Sequence, residues 1–148
     1  MANHLRRQIR EQVGTTLTGL TTTGSNVYQS RVYPLEDSNL PALLIYTKEE
    51  SSEPLSIHSN RVLVRNLSLV VEAYVKAVSD FDDTINTIAK EVEQAIASDI
   101  TLSGKAKDTF LAETNIEFNA EGEKPVAYCS FIFNVEYYTK EQNPDVAL

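Results

Sequence analysis

From Arg61 to Ala77 the chain alternates for about 15 residues without a break. Leu63, Leu67, Leu69, Val71, Ala73 and Val75 share one face; Val62, Val64, Asn66, Ser68, Val70, Glu72 and Tyr74 share the other. A period of two is the signature of a β-strand with one face in a core. The usual strand is about 5–6 residues, so a run this long bends, carries a bulge, or extends past its own domain to meet a neighbour. The first face is apolar throughout. The second mixes apolar and polar residues, which constrains the fold most, because something must account for Val62, Val64, Val70 and Tyr74 outside the core.

The rest of the chain supplies partners for that strand. Val126 to Thr139 alternates in the same way, with Ala127, Cys129, Phe131, Phe133, Val135 and Tyr137 on its core face. Phe110 to Phe118 sets Phe110, Ala112, Ile116 and Phe118 against Glu113, Asn115 and Glu117. Val27 to Tyr33 is β-rich and ends at Pro34, which has no amide hydrogen for a ladder. Leu35 to Asn39 carries turn chemistry, and Leu40 to Thr47 is a further strand. Two segments have helical spacing instead. Leu5, Ile9, Val13 and Leu17 recur every four residues, with Leu20 beyond them, which predicts an N-terminal helix within residues 1–20 capped by Asn3. Phe81, Ile85, Ile88, Val92 and Ile96 predict a second over 79–98, whose Asp82 and Asp83 suit the positive end of the helix dipole. Residues 48–60 are polar, rich in Ser and Glu, and read as a long exposed loop. Asn119 to Lys124 is a turn, and 140–148 reads as a loose tail.

Five strands and two amphipathic helices predict one α+β domain over residues 1–148: a single mostly antiparallel sheet with both helices packed on one face. A chain of 148 residues buries enough surface for a core without staples, and no repeat or linker divides it. In such a two-layer fold Val62, Val64, Val70, Tyr74, Ile132 and Tyr138 fall on the uncovered sheet face. A contiguous apolar set there marks an interface.

Chemistry is harder to find. Thirteen basic residues against 21 acidic ones leave a net charge of −8, which argues against nucleic acid and anionic lipid as main partners. One cysteine, Cys129, allows no internal disulfide and no Cys-based zinc site; mid-strand on the apolar face, it reads as a small core hydrophobe. No run approaches a membrane span, and the start Met-Ala-Asn-His lacks the apolar stretch of a signal peptide. Asn66-Leu-Ser68 is formally a glycosylation sequon but sits inside a strand. His4 and His58 lie in separate segments without ligand spacing, and read as exposed polar residues. Asp80, Asp82 and Asp83 fit helix capping, with a divalent-cation site, and so a small metal-binding enzyme, as the alternative. Glu49, Glu50 and Glu53 fit either a solvated loop or an acidic contact surface. Arg6, Arg7 and Arg10 form the basic patch of the first helix, solvated or paired with an acidic neighbour. There is no nucleophile elbow and no glycine-rich phosphate loop. No catalytic residue, metal ligand or cofactor is expected, and an enzyme is not.

The order of these segments resembles a known family. An N-terminal helix leads to Val32-Tyr33-Pro34-Leu35 and Leu40-Pro41-Ala42-Leu43. Then come the polar stretch, the strand Arg65-Asn66-Leu67-Ser68-Leu69-Val70-Val71, the helix Phe81-Asp82-Asp83-Thr84-Ile85 through Glu91-Val92-Glu93, and a closing Tyr137-Tyr138-Thr139. This layout is similar to the tail terminator proteins of long-tailed bacteriophages, the group that includes the lambda minor tail protein U, over almost the whole chain. The resemblance implies a structural virion protein without catalysis. It implies a homo-hexameric ring on the head-proximal end of the tail tube, assembled in the host cytoplasm, that stops tube growth and offers a surface for head–tail joining. The implied partners are other copies of the chain, the tail tube protein, a head–tail connector or neck protein, and the tape measure protein. A related neck or tail-completion role is the alternative. Ring contacts are heterologous, so Val62, Val64, Val70 and Tyr74 are expected against a neighbour's Arg6 and Arg10. Glu49, Glu50, Glu53 and His58, together with the C-terminal tail, are expected to meet tube or connector.

Overall fold

The computed structural model describes residues 2–29, 39–76, 79–119 and 126–148. The Val32-Tyr33-Pro34-Leu35 phrase, the turn beginning at Leu35 and residues 120–124 of the expected turn lie outside the described residues. Seven elements follow in order: α1 (Leu5–Leu17), β1 (Val27–Tyr28), β2 (Ala42–Pro54), β3 (Val62–Lys76), α2 (Phe81–Ala97), β4 (Asp108–Asn119) and β5 (Val126–Lys140). The strands make one sheet in the order β1-β2-β3-β5-β4. All pairings are antiparallel except the short β1–β2 contact.

Periodicity decides which side of the sheet is covered. Leu5, Ile9, Val13 and Leu17 of α1 and Ile85, Ile88, Val92 and Ile96 of α2 are buried in one cluster with Leu67, Leu69, Val71, Ala73 and Val75 of β3. Every second residue of β5 from Ala127 to Tyr137 joins them. Both helices therefore lie on one face, and the single core sits between them and the sheet. Gly19 follows the first helix with φ +93°, a left-handed turn that favours glycine, and its amide donates to the Gly24 carbonyl at 2.8 Å.

Four expectations are corrected. First, α1 is capped by His4 rather than Asn3: His4 Nδ1 accepts from the Arg6 amide at 3.0 Å, so His4 is no bystander. Second, residues 48–60 are not one long loop. β2 continues to Pro54, paired with β3 as far as Leu63, and only the tip connects the strands. Its polar composition reflects exposure on both sides, and backbone pairing with β3 overrides the weak strand preference of Glu and Ser.

Third, the segment after β5 is docked. The Leu5 amide donates to the Pro144 carbonyl at 2.8 Å, Gln8 Nε2 donates to the Asp145 carbonyl at 2.9 Å, and the Leu148 amide donates to the Tyr138 carbonyl at 3.1 Å. Fourth, Phe110 does not share a face with Ile116 and Phe118. A register shift between Leu111 and Glu113 inserts an extra residue, Ala112. Phe110 then lies opposite Asn134 on the outer face, whereas Ile116 and Phe118 lie opposite Cys129 and Ala127 on the helix side.

The three central strands are long. At about 3.4 Å per residue, the 15 residues of β3 span about 50 Å. β2 and β5 run beside it to Leu63 and Val62, whereas β4 begins only opposite Glu136. The end of the sheet that carries the β2–β3 tip is thus a narrow arm.

Candidate functional site

Two surfaces stand apart from the core: the outer sheet face and the arm. The outer face follows from the register. Val62, Val64, Asn66, Ser68, Val70, Glu72 and Tyr74 of β3 lie opposite Lys140, Tyr138, Glu136, Asn134, Ile132, Ser130 and Tyr128 of β5. Val62, Val64 and Tyr74 are half-buried, whereas Val70 is fully buried, flanked in register by Tyr46 and Ile132. Of the four interface residues expected on this face, Val70 therefore acts by packing the sheet, and three are open to a partner. Tyr74 stacks on Tyr128 with ring centroids 5.2 Å apart. Glu72 accepts from the Tyr74 hydroxyl at 3.5 Å and from Ser130 Oγ at 3.3 Å, while Tyr128 donates to Glu117. Burial, with Glu72 close by, pushes the Tyr74 phenol well up; the Glu117 bond pushes Tyr128 up to about 12. Both stay neutral donors at physiological pH. Further along the same face the register places Glu113, Glu136, Asp108 and Glu53, with Lys140 opposite Val62 and Lys107 Nζ 5.6 Å from the centre of the Tyr138 ring, so carboxylates outnumber ammonium groups there.

The arm is fastened to α1 by a cluster that sequence reasoning assigned to two different surfaces. Arg6 donates to Glu50 through Nε at 3.2 Å and Nη2 at 2.8 Å; Arg65 Nη1 donates to the same carboxylate at 3.2 Å, and so does the Tyr137 hydroxyl. Arg65 Nε also donates to Thr139 Oγ1 at 3.0 Å. A bulge explains why Glu50 reaches it. Between Thr47 and Glu50 the register shifts, so Lys48 and Glu49 together oppose a single β3 position. Thr47 faces the core side opposite Leu69, and after the bulge Glu50 faces it again opposite Leu67. Unbroken alternation would have turned Glu49 inward. Nothing in the sequence marks the bulge beyond the adjacent Lys48-Glu49-Glu50 triplet.

Electrostatics follow from this geometry. Burial opposes ionisation of Glu50. Bonds from Arg6 and Tyr137 and the charges of Arg6 and Arg65 outweigh it and hold the carboxyl below its ordinary range. Glu49 and Glu53 are not part of the cluster and stay exposed, as does His58 at the tip. Arg10 lies on α1, where its Nε donates to Gln29 Oε1 at 3.3 Å. Asp80 precedes α2 without a side-chain cap, and among the described residues no group of three His, Cys, Asp or Glu is placed to hold a metal. Burial pushes the Cys129 thiol up to about 11, so it stays protonated at neutral pH.

His4 gives a pH-dependent prediction. Burial, then the Arg6 and Arg65 charges, lower its pKa from 6.5. The folded state keeps His4 neutral while the unfolded chain protonates it. Stability should fall as pH drops through 6.5 towards the folded value. His4→Asn keeps a cap acceptor that does not titrate. Unfolding free energies from urea titration should match wild type to within about 1 kcal/mol at pH 8 and decline less between pH 7 and 5. Parallel declines would show that another group carries the dependence.

No family model matches the chain, and no curated protein matches it. Among solved structures, it is similar to a chain from the virion of a native gene transfer agent particle. The two are 12% identical, with a TM-score of 0.41, over 88% of this chain and 92% of that one.

Proposed function

We propose that this chain is a structural virion protein that forms a ring of six copies on the head-proximal end of a phage tail tube, ends tube growth and presents a joining surface for the head. The observation that carries the reading is the uncovered outer sheet face. Val62, Val64 and Tyr74 lie there among Glu53, Glu72, Glu117 and Glu136, while α1, on the opposite side of the same subunit, carries Arg7 and Arg10. An apolar acidic face and a basic helix on opposite sides of one molecule suit head-to-tail contact, which closes into a ring when the rotation permits. Arg6 and Arg7 serve this contact less than Arg10, because their guanidinium groups are engaged by Glu50 and Glu11 within the subunit. The reading needs no catalytic group, and it carries over from the family that the sequence layout resembles. Its partners are further copies of the chain, the tube protein and a connector protein.

The test is the mass of the purified protein by light scattering, followed by negative-stain imaging with and without purified tail tubes. Rings of about six subunits, free or on one end of each tube, are the expected result. A protein that ignores tube ends but binds the isolated connector would be a neck or tail-completion protein instead. One that forms no ring and binds neither would sink both readings.

A further inference from the structure

β4 is the last strand of the sheet. One edge pairs with β5, and among the described residues no strand pairs with the other. No backbone bond to a turn, loop or helix among those residues engages it either. An unpaired edge presents a row of N–H and C=O groups, a template for a further strand. Such edges are commonly blunted by Lys, Pro, inward-pointing charge or a bulge. β4 contains no Lys, Arg or Pro. Its helix-side residues, Thr109, Leu111, Thr114, Ile116 and Phe118, are uncharged. The bulge at Ala112 lies near its start, and from Glu113 to Phe118 the register with β5 runs without a shift. Every residue of that stretch is exposed. Ile116 and Phe118 are each 53% exposed, although Phe118 stacks on Phe81 with ring centroids 5.3 Å apart.

Charge decides which kind of strand fits. Glu113 and Glu117 stand on the outer face of the stretch, four residues or about 14 Å apart. Asp108 lies at the start of β4, and Glu93 of α2 stands on the helix side near Leu111. None of these four carboxylates forms an ion pair among the described residues. Glu117 accepts from the Tyr128 hydroxyl, and Lys107, just before β4, lies over the Tyr138 ring. We propose that the β4 edge takes an added strand from another protein, an extended segment with Lys or Arg spaced four residues apart on one face and aliphatic residues on the other. Main-chain bonds supply the pairing. The basic side chains lie across from Glu113 and Glu117, and the aliphatic face continues the apolar strip of Ile116 and Phe118. A second copy of this chain is the poorer occupant. β4 paired with β4 gathers the carboxylates of two copies on one strand pair, which is destabilising. The part of β2 beyond its contact with β1 brings Glu49, Glu50 and Glu53 against the single Lys48. The edge is separate from the ring contact at Val62, Val64 and Tyr74, so the inference goes beyond the ring reading.

The test uses the full chain and a labelled, capped peptide, Lys-Val-Thr-Val-Lys-Val-Thr-Val, whose lysines are spaced as Glu113 and Glu117 are. Fluorescence anisotropy measures binding, and amide hydrogen exchange locates it. Saturable binding that slows exchange within 113–118 is the expected result, with none for a scrambled peptide of the same composition that groups its lysines together. Glu113→Lys/Glu117→Lys should weaken binding at least about tenfold at low ionic strength. Glu113→Lys alone keeps the Glu117–Tyr128 bond, so it should melt as wild type and weaken binding in the same direction. Equal binding of the scrambled peptide, slowed exchange elsewhere only, or no binding at millimolar peptide overturns the inference. So does slowed exchange within 113–118 when the protein alone is concentrated, which makes a second copy the occupant. Light scattering without peptide decides the ring reading separately.

Discussion

Glu50→Ala should lower the stability of the isolated subunit by about 3–5 kcal/mol, the usual cost of removing one partner from a buried ion pair. The carboxylate accepts from two guanidinium groups and a phenol, and its side chain is 11% exposed. Its loss leaves Arg65, 10% exposed at the side chain, with Thr139 as its remaining bonded partner among those described. For a chain of this length the melting temperature should drop by about 10 °C or more. Arg6→Ala, at the more exposed edge of the cluster, should cost about 1 kcal/mol or less. The dependence on pH carries a sign. The folded Glu50 carboxyl lies below its ordinary value of 4.5. Its stabilisation is fully present above that value and is lost as pH falls through the lower folded one. Glu50→Gln removes this step, so its stability should start lower at pH 7 and decline less below pH 4.5. A melting curve for Glu50→Ala that overlays wild type would show that the cluster does not hold the arm to α1.

Tyr74→Asp should leave a folded subunit that no longer assembles. Within the monomer it forfeits the stack on Tyr128, a matter of about 0.5–1.5 kcal/mol. In the proposed contact it places a carboxylate beside Glu72 on a surface that must lose its water. Several kcal/mol of unpaired desolvation corresponds to more than about a hundredfold in association. Tyr74→Phe keeps the ring stack and should assemble. The comparison is read by light scattering alongside far-ultraviolet circular dichroism. Normal assembly of Tyr74→Asp would remove the outer sheet face from the interface.

Apolar spacing made the core legible. The Leu5–Leu17 stripe, the Phe81–Ile96 stripe and the alternating faces of β3 and β5 bury as their periods require, because nothing else satisfies that much apolar surface. What spacing could not reveal was each place where a backbone irregularity or a long-range polar partner decides. The extra residue at Ala112 moved Phe110 to the other face. The polar half of β2 is a strand because β3 offers it backbone partners, which composition does not record. His4 caps α1 through a ring nitrogen, an uncommon choice beside the available Asn3. Arg6, Glu50, Arg65 and Tyr137 are spread over 132 positions of sequence and carry no motif, so only the folded chain assembles them.

The bulge at Lys48 and Glu49 has one more consequence. Two residues there span the room of one, so deleting Glu49 would still leave Glu50 opposite Leu67 and the ion cluster intact. What changes is the local twist and bend that a bulge imposes, and with it the heading of everything beyond. Such a deletion should melt close to wild type, and in the proposed ring it should change the diameter seen in micrographs. There the outer face that β2 helps to form is the contact surface, so the bend of β2 and the curvature of the circle are coupled. A single spare residue would act as a trim adjustment on circumference that leaves the core untouched.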